Sequence, residues 1–325
     1  MGNGGRVTIL DVAARAGVNP GTVSRALNRP ELVAAATRER IEAAVEELGF
    51  VPNRAARGLI TGRTGNIAVI VPDITNPFFA LLVRAVERAA RDDGLQVLLV
   101  DTGEQSDEEV RAARALGPEV DGLIVVSPRK LHRALDGPTP ATPTVFVNRP
   151  ATGRASVVMR SADAAEDALH LLAELGHRRL VYVGGPPGSW AATERRNAVV
   201  RTAKAAGIEV VAVRVDTPTV ESAATAVDAV IEHRATAAMA FNDQLALGLL
   251  SGLARRGVRV PEDVSVVGCD DVPLAELVAP PLTTIAMPTE AAGAAALRLL
   301  TGEPETVELA GTLVVRASTG PAPTP

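Results

Sequence analysis

Apolar residues recur three and four positions apart through the first fifty residues of the chain. Ile9, Val12, Ala13 and Ala16 fall on one face of a helix that Thr8 can cap and Gly17 can end. Val23, Ala26 and Leu27 share one side of a second helix from about Pro20 to Asn28, leaving Thr22, Ser24, Arg25 and Asn28 outward. Ile41, Val45 and Leu48 mark a third, stopped by Gly49. Three short helices with a Gly-containing turn between the first two predict a helix-turn-helix unit. The second helix begins oddly. Asn19 suits the cap and Pro20 the first helical position, but Gly21 follows, and a helical glycine costs about 1 kcal/mol relative to alanine.

From residue 65 the pattern changes. "GNIAVIVPD", "LQVLLVD", "VDGLIVVS" and "TPTVFVNRP" are short continuous apolar runs, and "NPFFALLVRAVERAARDDG" and "SDEEVRAARALG" between them have helical spacing. The alternation restarts with the helix "EDALHLLAELG", the strand "RRLVYVGG" and the helix "ERRNAVVRTAKAAG". It runs on through "IEVVAVRV", "ESAATAVDAVIEH", "ATAAMAFND", "QLALGLLSGLARRG" and "VSVVGCDD". Continuous apolar strands alternating with helices imply parallel sheets covered on both faces. Two such halves leave a cleft, and ligands of open parallel sheets sit beyond the carboxyl ends of the strands. The tail "STGPAPTP" reads as disordered.

Charge sharpens the division. The chain carries −5 overall, but residues 1–63 hold nine arginines against six acidic residues, a balance of +3 that leaves −8 on the remainder. A small domain that meets an anion, joined to a larger one that does not, fits this asymmetry. Cys269 is the single cysteine, which excludes an internal disulfide and suits a reducing compartment. The four histidines lack metal-ligand spacing, so no metal is expected. No apolar run approaches the roughly 20 residues of a membrane helix, and the N-terminus has no signal-peptide core, so a cytoplasmic protein without membrane contact is expected. "GGPPG" lacks the order of a dinucleotide loop and no cofactor is indicated. The pairs Asp92-Asp93 and Asp270-Asp271 sit at turn-like sites where capping is the commoner role, which argues against an enzyme. A secreted solute-binding protein would have no use for "TVSRALN".

The ordered segments "VTILDVAARAGVNPGTVSRALN", "TRERIEAAVEELGFVPNRAARGL", "IAVIVPDITNPFFALLVRAVERAA", "ELGHRRLVYVGGP", "FNDQLALGLL" and "RRGVRVPEDVSVVGCDDVPLAELVAPPLTTI" resemble the lactose-repressor/galactose-repressor family of bacterial transcription regulators over nearly the whole chain. The resemblance implies an all-α helix-turn-helix domain over 1–50 and a hinge helix over 51–64. It implies an α/β periplasmic-binding-protein-like domain of two parallel-sheet subdomains over 65–318. The subdomains are expected at about 65–157 with 288–316, and at about 158–287, leaving 319–325 as a tail. It implies a homodimer that binds double-stranded operator DNA under control of a small effector of the sugar class, either a repressor released by it or one that needs a corepressor.

Carried over residue by residue, Arg25 matches a base-edge or phosphate contact in the major groove, and Thr8, Thr22, Ser24 and Asn28 match phosphate contacts. Pro20 and Gly21 stand where relatives carry base-choosing residues, so this helix reads little there; Gly21 either permits close approach to DNA or is a tolerated defect. Leu59 matches the hinge leucine that wedges into the minor groove, with Asn53, Arg54, Ala56 and Arg57 along the groove and its phosphates.

For the effector, Arg195 matches an arginine that forks onto hydroxyls or a carboxylate, Asp243 an acidic ligand, and Asn148 and Asn76 cleft edges, with Asp270 beside them. Phe78 and Phe79 suit the cleft mouth, the core or a dimer contact alike. Trp190, in the loop "GGPPGSWAA", could stack on a sugar or merely anchor the loop. The chain departs from the family at Ala34, a poor helix cap, at Cys269 and Met287, and at Arg160. Beside Arg195, Arg160 would make the cleft more cationic and favour an anionic or modified sugar.

Overall fold

The computed structural model describes residues 7–50, 63–129 and 142–324, and the chain divides into two compact units, 1–64 and 65–325. In the first, α1 (Ile9–Ala16), α2 (Pro20–Asn28) and α3 (Ala35–Leu48) form where the apolar spacing placed them. Asp11 closes the start of α1 by accepting from the Thr8 backbone N–H at 2.8 Å and from its hydroxyl at 2.7 Å. Gly17 and Gly49 take the left-handed conformation that ends α1 and α3. Ala34 begins α3 without a side-chain cap. The core is small, built on Val12, Val23 and Ile41, and the Arg15–Glu47 pair bridges α1 to α3 from outside.

The second unit holds two six-stranded sheets. The strands are β1 (Asn66–Val71), β2 (Gln96–Asp101), β3 (Gly122–Val126), β4 (Thr144–Val147), β5 (Ser156–Arg160), β6 (Arg179–Gly184), β7 (Glu209–Arg214), β8 (Ala237–Ala240), β9 (Ser265–Asp270), β10 (Thr283–Ala286), β11 (Thr306–Ala310) and β12 (Thr312–Val314). One sheet runs β11-β5-β4-β3-β1-β2 and the other β12-β10-β9-β8-β6-β7. Each is parallel except where β12 lies antiparallel to β10. The helices are α4 (Pro77–Asp92), α5 (Ser106–Leu116), α6 (Ala162–Glu174), α7 (Trp190–Ala205), α8 (Ala224–Glu232), α9 (Asp243–Arg255), α10 (Leu274–Leu277) and α11 (Thr289–Leu299). They cover sheets whose central strands are buried along their length, as β3 and β8 are, which is why these strands read as unbroken apolar runs.

The chain passes between the lobes three times, after β5, after β10 and after β11. Two expected boundaries move accordingly. The division at 157/158 would cut β5, which pairs with both β4 and β11 in the first sheet, so the crossing follows Arg160. Residues 312–314, expected with the first lobe, pair with β10 in the second.

The expected disordered tail is also corrected. Ser318 is 0% exposed; its hydroxyl donates to the Val266 carbonyl at 2.6 Å and accepts from the Thr283 N–H at 2.7 Å. The Gly320 carbonyl accepts from His177 Nε2 at 3.0 Å, and the Ala322 N–H donates to Leu175 at 2.8 Å. The segment is short, polar and proline-rich, but its backbone groups find partners in the second lobe, which composition does not reveal. Ser318→Ala, which orphans a buried N–H and a carbonyl, should lower unfolding free energy by about 1–3 kcal/mol in urea titrations. A change near zero would return the tail to disorder.

Candidate functional site

The DNA-facing candidates of the described residues are Thr8 at the start of α1 and residues along α2. Asn19 caps α2, its Oδ1 accepting from the Thr22 N–H at 2.8 Å and from its hydroxyl at 3.0 Å. A Cβ at Gly21 would lie 3.3 Å from that same oxygen, so glycine leaves the cap undisturbed. The Arg25 Nε donates back along the helix to the Gly21 carbonyl at 3.2 Å. Thr8, Pro20, Gly21 and Arg25 are exposed and Thr22 and Ser24 half-exposed, with Asn28 the last residue of α2. Asn53, Arg54, Ala56, Arg57 and Leu59 lie outside the described residues.

The second site is a cavity between the two lobes, at the carboxyl ends of the strands. From the first lobe, Asn76 caps α4 by accepting from the Phe78 N–H at 3.0 Å. Phe78 stands edge-to-face with Phe79, ring centroids 5.1 Å apart. Both rings are buried in the core as well as lining the cavity, so core and cleft are not alternatives for them. Asn148 and Ser127 are held at positive φ, and Asn148 Nδ2 donates to Ser127 Oγ at 3.1 Å. Strained backbone of this kind gathers at ligand sites.

From the second lobe comes Arg195, buried on α7. Its Nε donates to Ser161 Oγ at 3.0 Å, one terminal nitrogen donates to the Phe241 carbonyl, and the guanidinium carbon lies 4.9 Å from the centre of the Phe241 ring. A side chain on Gly185 would collide with that ring at 2.6 Å. Asp270 lines the same wall. Burial pushes its carboxyl well above the usual range, Asp243 adds to this, and Arg195 opposes both. The cavity volume is about 40 Å³, far below the range of small-molecule sites. A sugar therefore enters only when the lobes part, and the Gln244 Nε2 to Thr75 carbonyl bond at 3.3 Å is one contact that must break.

Asn76, Phe78, Asn148, Arg195 and Asp270 are thus brought together, and three expected residues are not. Asp243 begins α9 wholly buried, one oxygen accepting from Thr284 Oγ1 at 2.6 Å and the other from the Val272 N–H at 2.9 Å. It clamps the core, and its neighbour Asn242 lines the cavity. Arg160 lies 3.6 Å from Glu194 and 3.4 Å from Glu308; these carboxylates offset it, so it does not make the cleft cationic. Trp190 is not in a loop but is the first residue of α7, capped by Ser189. Ser189 and Ala191 on either side of it line the cavity.

Sequence reading missed Glu104 and Arg129, which pair with each other in the first lobe's wall. Arg129 also donates to the Glu104 carbonyl at 3.1 Å, and burial lowers its pKa. Both follow strand ends, β2 and β3, on the side where a parallel sheet binds ligands, and that position was the available signal. Among the described residues no group of His, Cys, Asp and Glu is arranged to hold a metal, and no helix is long and apolar enough to cross a membrane.

A capped helix-turn-helix unit joined to a two-lobed α/β domain with a cleft between its lobes defines a ligand-responsive transcription regulator. The chain belongs to the lacI family of bacterial regulatory proteins, whose model matches residues 8–53, and residues 169–319 match a periplasmic binding protein-like domain. It is 37% identical to the HTH-type transcriptional regulator CelR of Thermobifida fusca, over 96% of this chain and 98% of that one. It is 34% identical to the transcriptional repressor CytR of Escherichia coli K12, over 90% and 88%. In structure it is similar to the lac repressor dimer bound to operator and the anti-inducer ONPF, with a TM-score of 0.88, 28% identity and coverage of 97% and 100%. These relatives are transcriptional regulators, not enzymes.

Burial raises the Asp243 pKa to about 6, against the opposing Thr284 and Val272 hydrogen bonds. The folded state then holds this proton more tightly than the unfolded chain, so stability falls as pH rises from about 4 to about 6. Asp243→Asn should flatten that fall by roughly 1–3 kcal/mol in urea titrations at pH 4.5 and 7. An unchanged slope would show that Asp243 does not carry it.

Proposed function

We propose that the protein is a homodimeric repressor that binds operator DNA through α2 and the 51–64 hinge, and that a small carbohydrate in the interlobe cleft controls its affinity. The observation that carries this reading is the pairing of a capped, exposed α2 on an arginine-rich unit with a cleft that sets Arg195 and Asp270 beside Phe241. Guanidinium, amide and carboxyl groups suit a ring of hydroxyls, and aromatic faces suit its C–H side. CelR has been solved with cellobiose, at a TM-score of 0.70 to this chain. Arg25 reads a base edge, and Thr8, Thr22, Ser24 and Asn28 contact phosphates. Leu59 wedges into the minor groove, and Asn53, Arg54, Ala56 and Arg57 line the groove and its phosphates. Leu98 and Leu99, 38% and 44% exposed on the edge strand β2, are covered by the second copy. The protein acts in the cytoplasm, where its DNA is, and catalyses no reaction.

With an operator obtained by selection from random duplexes, affinity should fall steeply with salt, by a slope of about −0.9 per phosphate contact. Leu59→Ala should weaken the operator about tenfold or more while leaving random DNA nearly unchanged, because the wedge acts through the bend at the operator centre. Equal losses on both would reduce the hinge to a tether.

Arg195→Ala should abolish the response of operator binding to a panel of mono- and disaccharides and leave sugar-free DNA affinity intact. Retained sugar binding in calorimetry would remove Arg195 from the site. A sugar that tightens operator binding instead of loosening it would make the protein corepressor-dependent.

A further inference from the structure

The second lobe carries another cavity, on its outer side, between α7 and the strands β6 and β7, with a volume of about 440 Å³, within the range of small-molecule sites. Tyr182 and Gly184 of β6, Gly185, Thr193 and Arg196 of the start of α7, and Arg214 of β7 line it. Two guanidinium groups and no carboxylate belong to this lining. Among the described residues Arg196 has no ion pair, and Arg214 has one loose contact, to exposed Asp216 at 3.4 Å, which water screens and a ligand can replace.

The Tyr182 side chain is 0% exposed, yet among the described residues its hydroxyl has no hydrogen-bond partner. That hydroxyl has no accessible surface and lies behind the groove wall, so the groove presents the edge of the ring and the two guanidinium groups. The N-terminal turn of the sixteen-residue α7 adds positive potential at the same end.

We propose that this outer groove is a second ligand site, for a small organic phosphate whose charge pairs with Arg196 and Arg214. Its position gives it a route to the cleft. Arg196 follows Arg195 directly on α7, one guanidinium in the groove and the other in the cleft, and Pro186 lines both cavities. A phosphate drawn onto Arg196 therefore bears on the turn of helix that positions Arg195.

The test is calorimetric titration of the full-length protein with inorganic phosphate, glucose 6-phosphate, adenosine monophosphate and glucose. At least one organic phosphate should bind Arg195→Ala within about twofold of wild type, and the double variant Arg196→Ala/Arg214→Ala at least about tenfold more weakly. Both of those arginines are exposed, so folding is not at stake. Gly184→Leu should also block binding. A Cβ at Gly184 makes only ordinary contacts, 3.5 Å from the Val213 carbonyl and 3.7 Å from the Tyr182 ring, and the longer side chain fills the groove. Tyr182→Phe should leave phosphate binding within about twofold of wild type and the melting temperature of the free protein equal or higher, since it removes a hydroxyl that is closed off from the groove and has no partner. Phosphate binding lost in Arg195→Ala but kept in the double variant would put the ligand in the cleft and overturn the proposal. So would the absence of binding by all three phosphates at millimolar concentration. Neither result bears on whether a neutral sugar occupies the cleft, which the same titrations in Arg196→Ala/Arg214→Ala read separately.

Discussion

Three crossings of the chain, packed against one another, are the constraint on which the second unit depends. The Gly311 N–H donates to the Arg160 carbonyl at 2.8 Å and so ties the third crossing to the first. A Cβ at Gly311 would come within 3.1 Å of both Ile285 and Met287, which tie it to the second. Three parallel connections at one place resist shear but permit bending, so the lobes can part at the side opposite them. Met287, which immediately follows β10, lines the cleft as well. The ligand cavity and the hinge are therefore continuous, and a molecule in the cavity touches the chain where the lobes turn.

The electrostatics of the cleft follow from its depth. Arg195 is buried in a wall where its partners are a hydroxyl, a carbonyl and an aromatic ring, with Asp270 close by and biased towards its neutral form. A buried guanidinium supported mainly by neutral groups keeps donor capacity for an incoming oxygen, whereas one locked in a bidentate carboxylate pair would not. Arg129 is instead engaged by the Glu104 carboxylate and backbone carbonyl and serves the wall more than the ligand. Arg160, held between Glu194 and Glu308 where β5 leaves the first lobe, belongs to the hinge.

In the first unit a core of a few small residues leaves helix ends to carry much of the specification. Asp11 and Asn19 close two starts, and two left-handed glycines close two ends. Gly21 belongs to this scheme. It spares the Asn19 cap a contact at 3.3 Å, and the Arg25 Nε donates back to its carbonyl.

The amino-acid sequence by itself determined the three N-terminal helices, the repeated strand–helix alternation and the family. Those rest on periodicity, capping chemistry and ordered motifs, all local along the chain. It also singled out Asn76, Asn148 and Arg195, which line the cavity, because each lies near a strand end or helix start that the alternation makes visible. It misplaced Asp243 and Arg160, since whether an oxygen or a guanidinium is already engaged depends on partners such as Thr284, Glu308 and Glu194, which lie 41, 148 and 34 residues away, and it put Trp190 in a loop because the glycines and prolines before it hid the Ser189 cap. It overlooked β5 and the embedding of Ser318 for the same reason: a short strand and a polar tail acquire their hydrogen-bond partners only when distant segments close around them. Which side chains face a common cavity was decided by tertiary structure alone, because a cleft is made of residues that share no stretch of sequence and meet only when two lobes joined by three crossings come together.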